Sequence, residues 1–309
     1  MYKAYIILAH KYPDQLLRLV SRLNDGASHF FIHIDKKAHI TQFAQVFALT
    51  DIVDFISRED SKWAGFDIVQ ATLNGMKAVK ESHKKFDRII LLSGQDYPIK
   101  SNRDIDQFFR SSPHSVFLDY FPIPNYKKWP GGDRGGWYRV DKYYIGLKSY
   151  QLFCSKSINL LATFFPFLRR KMPGDMKPYT GSQWWCMDMY ALGYILDYTK
   201  AHPEYVSFHK HTFAPDELFF HMILVNSKDE NLISSIENNN KRFMTWEVSD
   251  SAHPNTICAT DFEAIAASDH LFARKFDATV DNEIMDLIDA RILQDKQVHH
   301  SKDVLFSNE

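Results

Sequence analysis

Four short apolar runs, each followed by a segment of helical length, constrain the fold of this chain more than any other feature. Ala4 to Ala9 is unbroken hydrophobic sequence, as a strand buried on both faces requires. Pro13 then opens a stretch in which Leu16, Leu17, Leu19, Val20 and Leu23 recur at helical spacing. His29 to Ile34 repeats the strand signal. A helix over 40–49, a short strand at 53–55, a long helix over 67–82 and a strand from Arg88 to Ser93 follow. Strands that alternate with helices imply right-handed crossovers, an α/β class with a parallel sheet, and a ligand crevice at the carboxyl ends of the strands. Ala9, His10, Asp35 and Ser93 to Tyr97 occupy those ends.

The chemistry of that crevice is narrowed by what the sequence lacks. Neither G-x-G-x-x-G nor G-x-x-x-x-G-K-[ST] occurs, so dinucleotide-dependent dehydrogenases and P-loop kinases recede. H-E-x-x-H is absent too, and the 14 histidines show no metal-ligand spacing. The one D-x-D, Asp104-Ile105-Asp106, lies behind Ser101-Asn102 in what reads as the capped first turn of a helix, where acids suit the dipole. No metal is expected. With 37 basic against 38 acidic residues the net charge is −1, which offers no global field for nucleic acid. Aromatic residues make up 15% of the chain, enough to line a cleft for sugars as well as a core. Cys154, Cys186 and Cys258 are an odd, widely spaced set that suits free thiols in a reducing cytoplasm.

Beyond Pro113 the alternation stops. Up to Pro178 the chain is rich in turns, aromatics and cations, with Trp129, Pro130, Gly131-Gly132, Arg134, Gly135-Gly136, Trp137, Tyr138 and Arg139, and reads as a wall of an acceptor site. Ile158 to Arg170 combines leucines and phenylalanines with a basic end; it reads as a buried helix, with weak membrane-surface contact as the alternative. Gly181 to Met187 is extended and aromatic, and a helix follows over 189–202. Ala214-Pro215-Asp216-Glu217 then reads as the start of a buried helix over 214–224, with two acids in its first turn. Those acids either complement the helix dipole or do chemistry. Arg242 to Trp246 is a strand candidate and 261–267 a short helix. Arg274-Lys275, flanked by Phe272 and Phe276, is a basic pair set on a rigid platform or an ordinary solvated one. The polar segment 296–309 is expected to fray.

Five motifs together resemble glycosyltransferase family 14, the core-2/I-branching β-1,6-N-acetylglucosaminyltransferases and peptide O-xylosyltransferases. They are His33-Ile34-Asp35-Lys36-Lys37-Ala38, Leu91 to Asn102 (LLSGQDYPIKSN), Gly181-Ser182-Gln183-Trp184-Trp185, Pro215-Asp216-Glu217 and Phe272-Ala273-Arg274-Lys275-Phe276, in the family's order over about residues 3 to 290. The resemblance implies a GT-A fold, a three-layer αβα arrangement with a mostly parallel Rossmann-like sheet. It further implies a UDP-sugar donor, inversion at the anomeric carbon and no metal. On this basis Glu217 matches the catalytic base, and Arg274 and Lys275 match the diphosphate-binding pair. Ala9, His10 and Asp35 border the nucleotide. Gln95, Asp96, Trp184, Trp185, Asp216 and Trp246 face donor or acceptor sugar. In the branching enzymes an arginine precedes the lysine where Ala252-His253-Pro254 stands here, so Arg242 or Arg274 takes its part.

The expected organisation is one domain over 1–295, with a nucleotide-sugar half over 1–112 and an acceptor-binding, catalytic half over 113–295. A bacterial-type, cytoplasmic enzyme is expected, with the inner membrane face as an optional contact, because the membrane anchor and disulfides of the luminal members have no counterpart here. The partners are a UDP-sugar and a glycan or peptide acceptor. Two other readings stay open: a catalytically silent sugar-binding protein, and a sugar nucleotidyltransferase. The second needs a glycine-rich basic loop after the first strand, where Ala9-His10-Lys11-Tyr12-Pro13 stands.

Overall fold

A computed structural model describes residues 1–48, 50–129, 134–246 and 254–293. Pro130, the Gly131-Gly132 pair, Ala252-His253 and the tail beyond 296 lie outside the described residues. Ten strands are present among those described: β1 (Lys3–Ala9), β2 (Ser28–Ile34), β3 (Val53–Phe55), β4 (Arg88–Ser93), β5 (Asp96–Pro98), β6 (Val116–Pro122), β7 (Tyr179–Met187), β8 (Ile236–Asn238), β9 (Arg242–Phe243) and β10 (Phe272–Arg274). Seven form one sheet in the order β3-β2-β1-β4-β7-β6-β8, and β5, β10 and β9 form a small second sheet. The main sheet is parallel except for β7, which runs antiparallel to both β4 and β6.

Strand alternation divides the core into two layers. Ile6 and Leu91 face one side, packed with Val69, Leu73 and Met76 of the helix Phe66–Glu81, Leu192 and Ile195 of Met189–Ala201, and Phe219 and Phe220 of Phe219–Val225. Tyr5, Ile7, Ile90 and Leu92 face the other, against Leu16, Leu19 and Leu23 of Pro13–Leu23, Ile105 and Phe109 of Asn102–Ser111, and Ile284 and Ile288 of Glu283–Arg291. The result is a three-layer αβα fold. Each fully buried Ile or Leu contributes roughly 2 kcal/mol, which is why the central strands admit no polar alternation.

The sequence reading holds through β4, with element ends within a few residues. It differs later in three places. The 113–178 stretch contains β6, a full strand of the main sheet, which its prolines and tyrosines concealed. The strand expected over Arg242 to Trp246 is only the two-residue β9. The helix of 149–164 is not buried: Ser155 and Ala162 are its buried residues, and its leucines and phenylalanines face outward. Asp104 and Asp106 serve the fold: Ser101 Oγ caps Asp104 N at 3.1 Å, while Asp106 pairs with the buried Lys3 and, at 2.9 Å, with the N-terminal amine.

Register between β6 and β7 slips between Leu118 and Tyr120, and Gly181 lies opposite Tyr120. A Cβ on Gly181 would stand 1.8 Å from the carbonyl oxygen of Asp119, so only glycine fits the bulge. Gly181→Ala is expected to lower unfolding stability by about 1–3 kcal/mol, measured as the shift in the urea unfolding midpoint.

Candidate active site

The sheet order reverses between β1 and β4, and the crevice that reversal creates lies beyond their carboxyl ends. Asp35 N–H donates to the Ala9 carbonyl at 2.9 Å and Gly94 N–H to Leu8 at 3.0 Å, which closes the strand ends around His10. The Asp35 carboxylate accepts from Lys37 N–H at 2.8 Å and Ser61 N–H at 3.1 Å, so it shapes the loop after β2. His10 is exposed, and its ring pKa is pulled down by desolvation first and then by Lys11, with Lys275 and Lys37 acting in the same direction. Lys11 is neutralised by Asp277 at 3.1 Å. Among the described residues the Lys275 ammonium has neither a hydrogen bond nor an ion pair.

The backbone around Lys275 is clasped from beneath. Phe276 N–H donates to the Gln95 carbonyl at 2.8 Å, while Gln95 Nε2 and Gln15 Nε2 both donate to the Phe276 carbonyl, at 3.0 and 3.2 Å. Arg274 lies on the Trp184 ring, 4.1 Å from its centroid. Asp96, which accepts from Ser93 N–H and Oγ at 3.0 and 2.9 Å, forms an ion pair with Arg274 Nη1 at 3.6 Å, beyond hydrogen-bonding distance. Arg274 Nε and Nη1 are buried without a hydrogen-bond partner. Burial pulls the guanidinium pKa down, partly offset by Asp96. Unfilled donors on a buried cation are costly unless an anion arrives.

At the other end of β7 stand the two acids. Ala214 holds a left-handed φ of +48° and donates to the Ala64 carbonyl at 3.0 Å. Pro215–Glu217 then forms a 3-10 turn, and the α-helix begins only at Phe219. The acids therefore precede the helix instead of occupying its first turn. Glu217 Oε2 accepts from Arg139 Nη1 at 2.5 Å, and its side chain is 38% exposed. Among the described residues Oε1 has no partner. Arg139 is buried among Trp129, Tyr138 and Phe213, with Trp129 nearest at 5.1 Å. The Glu217 carbonyl accepts from Thr180 Oγ1 at 3.0 Å, which ties the turn to β7. Asp216 is buried with Oδ1 unpartnered; burial first, then repulsion from Glu217, pushes its carboxyl up to about 7.

Several expected site residues lie elsewhere than an open cleft. Arg242 is 3% exposed and donates to the carbonyls of Asn240 and Leu91 at 2.7 and 2.9 Å, so its guanidinium is engaged in the core. Trp185 is fully buried against Phe220, and Trp184 is covered by Arg274, so neither forms a bare floor for a sugar ring. Gln95 and Asp96 are buried and shape the loops under Lys275 and Arg274. Trp246 is 47% exposed. Arg139, named in the sequence only as part of the acceptor wall, pairs with Glu217 from 78 positions away, and no local pattern links the two.

A family model described as Core-2/I-Branching enzyme matches residues 3–267. Xylosyltransferase 1 of Canis lupus familiaris is 25% identical over 93% of this chain and 30% of its own length. A human protein described as probable beta-1,3-galactosyl-O-glycosyl-glycoprotein beta-1,6-N-acetylglucosaminyltransferase 7 is 36% identical over 35% of this chain and 26% of its own length. Beta-glucuronosyltransferase GlcAT14B of Arabidopsis thaliana is 23% identical over 94% of this chain and 66% of its own. The chain thus spans about a third of the xylosyltransferases that it resembles.

The raised Asp216 pKa has a thermodynamic sign. Above the ordinary carboxylate range the folded state holds a proton that the unfolded state has released, so this group costs stability increasingly from about pH 4 to about pH 7, and by a constant amount above that. Asp216→Asn removes the term. Its stability relative to the parent is expected to rise by at least about 1 kcal/mol across that window, measured by urea unfolding at pH 4.5 and 7.5.

Proposed function

This chain belongs to the core-2/I-branching enzyme family of glycosyltransferases, and we propose that it carries out inverting transfer of N-acetylglucosamine or xylose from a UDP-sugar to a hydroxyl of a glycan or peptide. The observation that carries the reading is Glu217: one carboxylate oxygen is clamped by Arg139, and the other has no partner among the described residues and stands on a pinned turn. In the proposed step the acceptor oxygen attacks the anomeric carbon, Oε1 of Glu217 takes the hydroxyl proton, and the bond from that carbon to the β-phosphate oxygen breaks, releasing UDP. The Arg139 guanidinium orients the base and keeps its second oxygen from turning away.

Charge that develops on the departing diphosphate needs fixed cations. Lys275, unpaired among the described residues, and Arg274, with donors unfilled, are the groups proposed to meet it, while Ala9, His10 and Asp35 border the nucleotide. We propose that no metal takes part, since two side-chain cations supply that charge and Asp104 and Asp106 are engaged in the fold. Asp216, partly protonated near neutrality, is proposed as a donor to a sugar hydroxyl. A cytoplasmic setting goes with three free cysteines.

Incubation with a panel of UDP-sugars and scoring of UDP release tests the reading. Silence across the panel favours a sugar-binding protein, and pyrophosphate release from UTP with a sugar phosphate favours a nucleotidyltransferase. Glu217→Gln is expected to lower turnover by at least about a hundredfold with donor binding retained; a loss under tenfold removes Glu217 from the role. Lys275→Ala is expected to lower turnover by about a hundredfold, more than it weakens UDP-sugar affinity, with wild-type transfer persisting in excess EDTA. Rescue of a chelated enzyme by manganese would overturn the metal-free account.

A further inference from the structure

The helix Ser149–Phe164 is inside out. Its inward face is polar: Asn159 Oδ1 accepts from Tyr143 N–H at 2.8 Å and its Nδ2 donates to the Tyr143 carbonyl at 2.9 Å, while Ser155 Oγ accepts from Ile145 N–H at 3.0 Å. Its outward face is apolar. Phe153, Leu160 and Phe164, at i, i+7 and i+11, lie on one line and are 71%, 62% and 70% exposed. Tyr150 and Leu161 flank that line, and Phe165 and Phe167 extend it past the helix end, the last at 77% exposure. An ordinary surface helix turns these two faces the other way, and a contiguous exposed apolar patch marks an interaction site.

The charge pattern around the patch selects the occupant. Between Asp141 and Asp175 there is no carboxylate, while Lys142, Lys148, Lys156, Arg169, Arg170 and Lys171 all fall there, in a chain whose overall charge is −1. All but Arg170 are exposed. A second copy seated on this face would set two such cationic segments against each other, which electrostatic complementarity disfavours. An anionic lipid surface meets every feature: acyl chains for the phenylalanines and leucines, and headgroups for a rim of lysine and arginine. With 16 residues the helix is too short to span a bilayer, and no helix of the described residues is long and apolar enough to cross a membrane.

We propose that the 145–171 segment docks this protein on an anionic membrane surface, with the helix lying in the plane of the interface and Phe153, Leu160, Phe164 and Phe167 inserted between headgroups. The surface adjoins the acceptor side of the candidate active site, because Tyr144, just before the helix, packs edge-on against Phe213 at 5.3 Å, four residues from Glu217. An enzyme docked this way works on acceptors presented at the membrane. The docking itself does not depend on the proposed reaction.

Co-sedimentation of the full chain with vesicles tests it. Binding to phosphatidylcholine vesicles containing about 30% phosphatidylglycerol is expected to be at least about tenfold tighter than to pure phosphatidylcholine, and to weaken as salt rises. The variant Phe153→Ser/Leu160→Ser/Phe164→Ser is expected to lose about tenfold or more of that binding with its melting temperature unchanged, and Phe167→Ser, outside the helix, to lose a smaller share. Lys148→Gln/Lys156→Gln is expected to reduce the preference for anionic vesicles and flatten the salt dependence. Absence of binding to either vesicle, or binding by the triple-serine variant equal to that of the parent, overturns the proposal. So does a wild-type dimer in sedimentation velocity that the triple-serine variant converts to monomer, which would give the face to a second copy.

Discussion

Burial of β1 on both faces, between two parallel neighbours, is the constraint from which the arrangement of the site follows. The strand's polar groups, Lys3 and the Tyr5 hydroxyl, are buried near its start and the rest of it is apolar, so polar chemistry open to a ligand appears where the chain leaves the sheet. The exits of β1, β2 and β4 supply His10, Asp35 and Ser93. The reversal of strand order at β1 and β4 opens the crevice between them, and Gly94 keeps it narrow: a Cβ there would stand 3.1 Å from that of Ala9. The small second sheet brings β10 to the same place, since β5 leaves β4 after two residues and pairs antiparallel with it.

The two ends of the site follow opposite electrostatic rules. Near His10 and β10 the cations are only partly met: Asp277 satisfies Lys11, and Asp96 faces Arg274 at 3.6 Å without a hydrogen bond. In the Pro215–Glu217 turn two neighbouring carboxyl groups stand in different surroundings. Asp216 is buried, with no ion pair among the described residues, and is pushed toward neutrality, whereas Glu217 is half-exposed and held by a guanidinium.

Much of the first third was legible because it depends on short-range periodicity. Leu16, Leu19 and Leu23 announce a helix by spacing alone, and the apolar run to Ala9 announces a buried strand. What the sequence hid depends on long-range partners. Arg242 carries the same charge as Arg274, and only the carbonyls of Asn240 and Leu91 show that it belongs to the core. Trp184 and Trp185 are adjacent and alike, yet one lies beneath a guanidinium and the other against Phe220. The segment from Ile158 to Arg170, expected as a buried helix, belongs in its first part to the outward-facing helix of 149–164 for a related reason: apolar residues at helical spacing identify a face, and nothing in the spacing says whether that face turns inward. Asn159 and Ser155 held the signal, because polar residues at the same spacing opposite the leucines needed partners, and the 143–145 backbone provides them.

Glu217 is held by Arg139, whose backbone carbonyl lies in turn against Arg170. The Arg170 guanidinium is buried and has no ion pair among the described residues. It donates to the carbonyls of Lys142 and Phe208 at 2.6 and 2.8 Å, to Thr212 Oγ1 at 2.8 Å and, more weakly, to the Arg139 carbonyl at 3.4 Å. Its plane lies over the Phe208 ring, 3.9 Å from the centroid. Burial lowers its pKa to about 10, which still leaves it charged at neutral pH. A carboxylate partner would neutralise it more cheaply but would fix it to one residue, whereas carbonyls on two segments and the Thr212 hydroxyl on a third let one cation hold the turn before Lys142, the helix Pro203–His209 and the approach to Ala214 in a single geometry. Lysine has the charge but not the planar fork, so the scaffold beneath the Pro215–Glu217 turn needs arginine at 170.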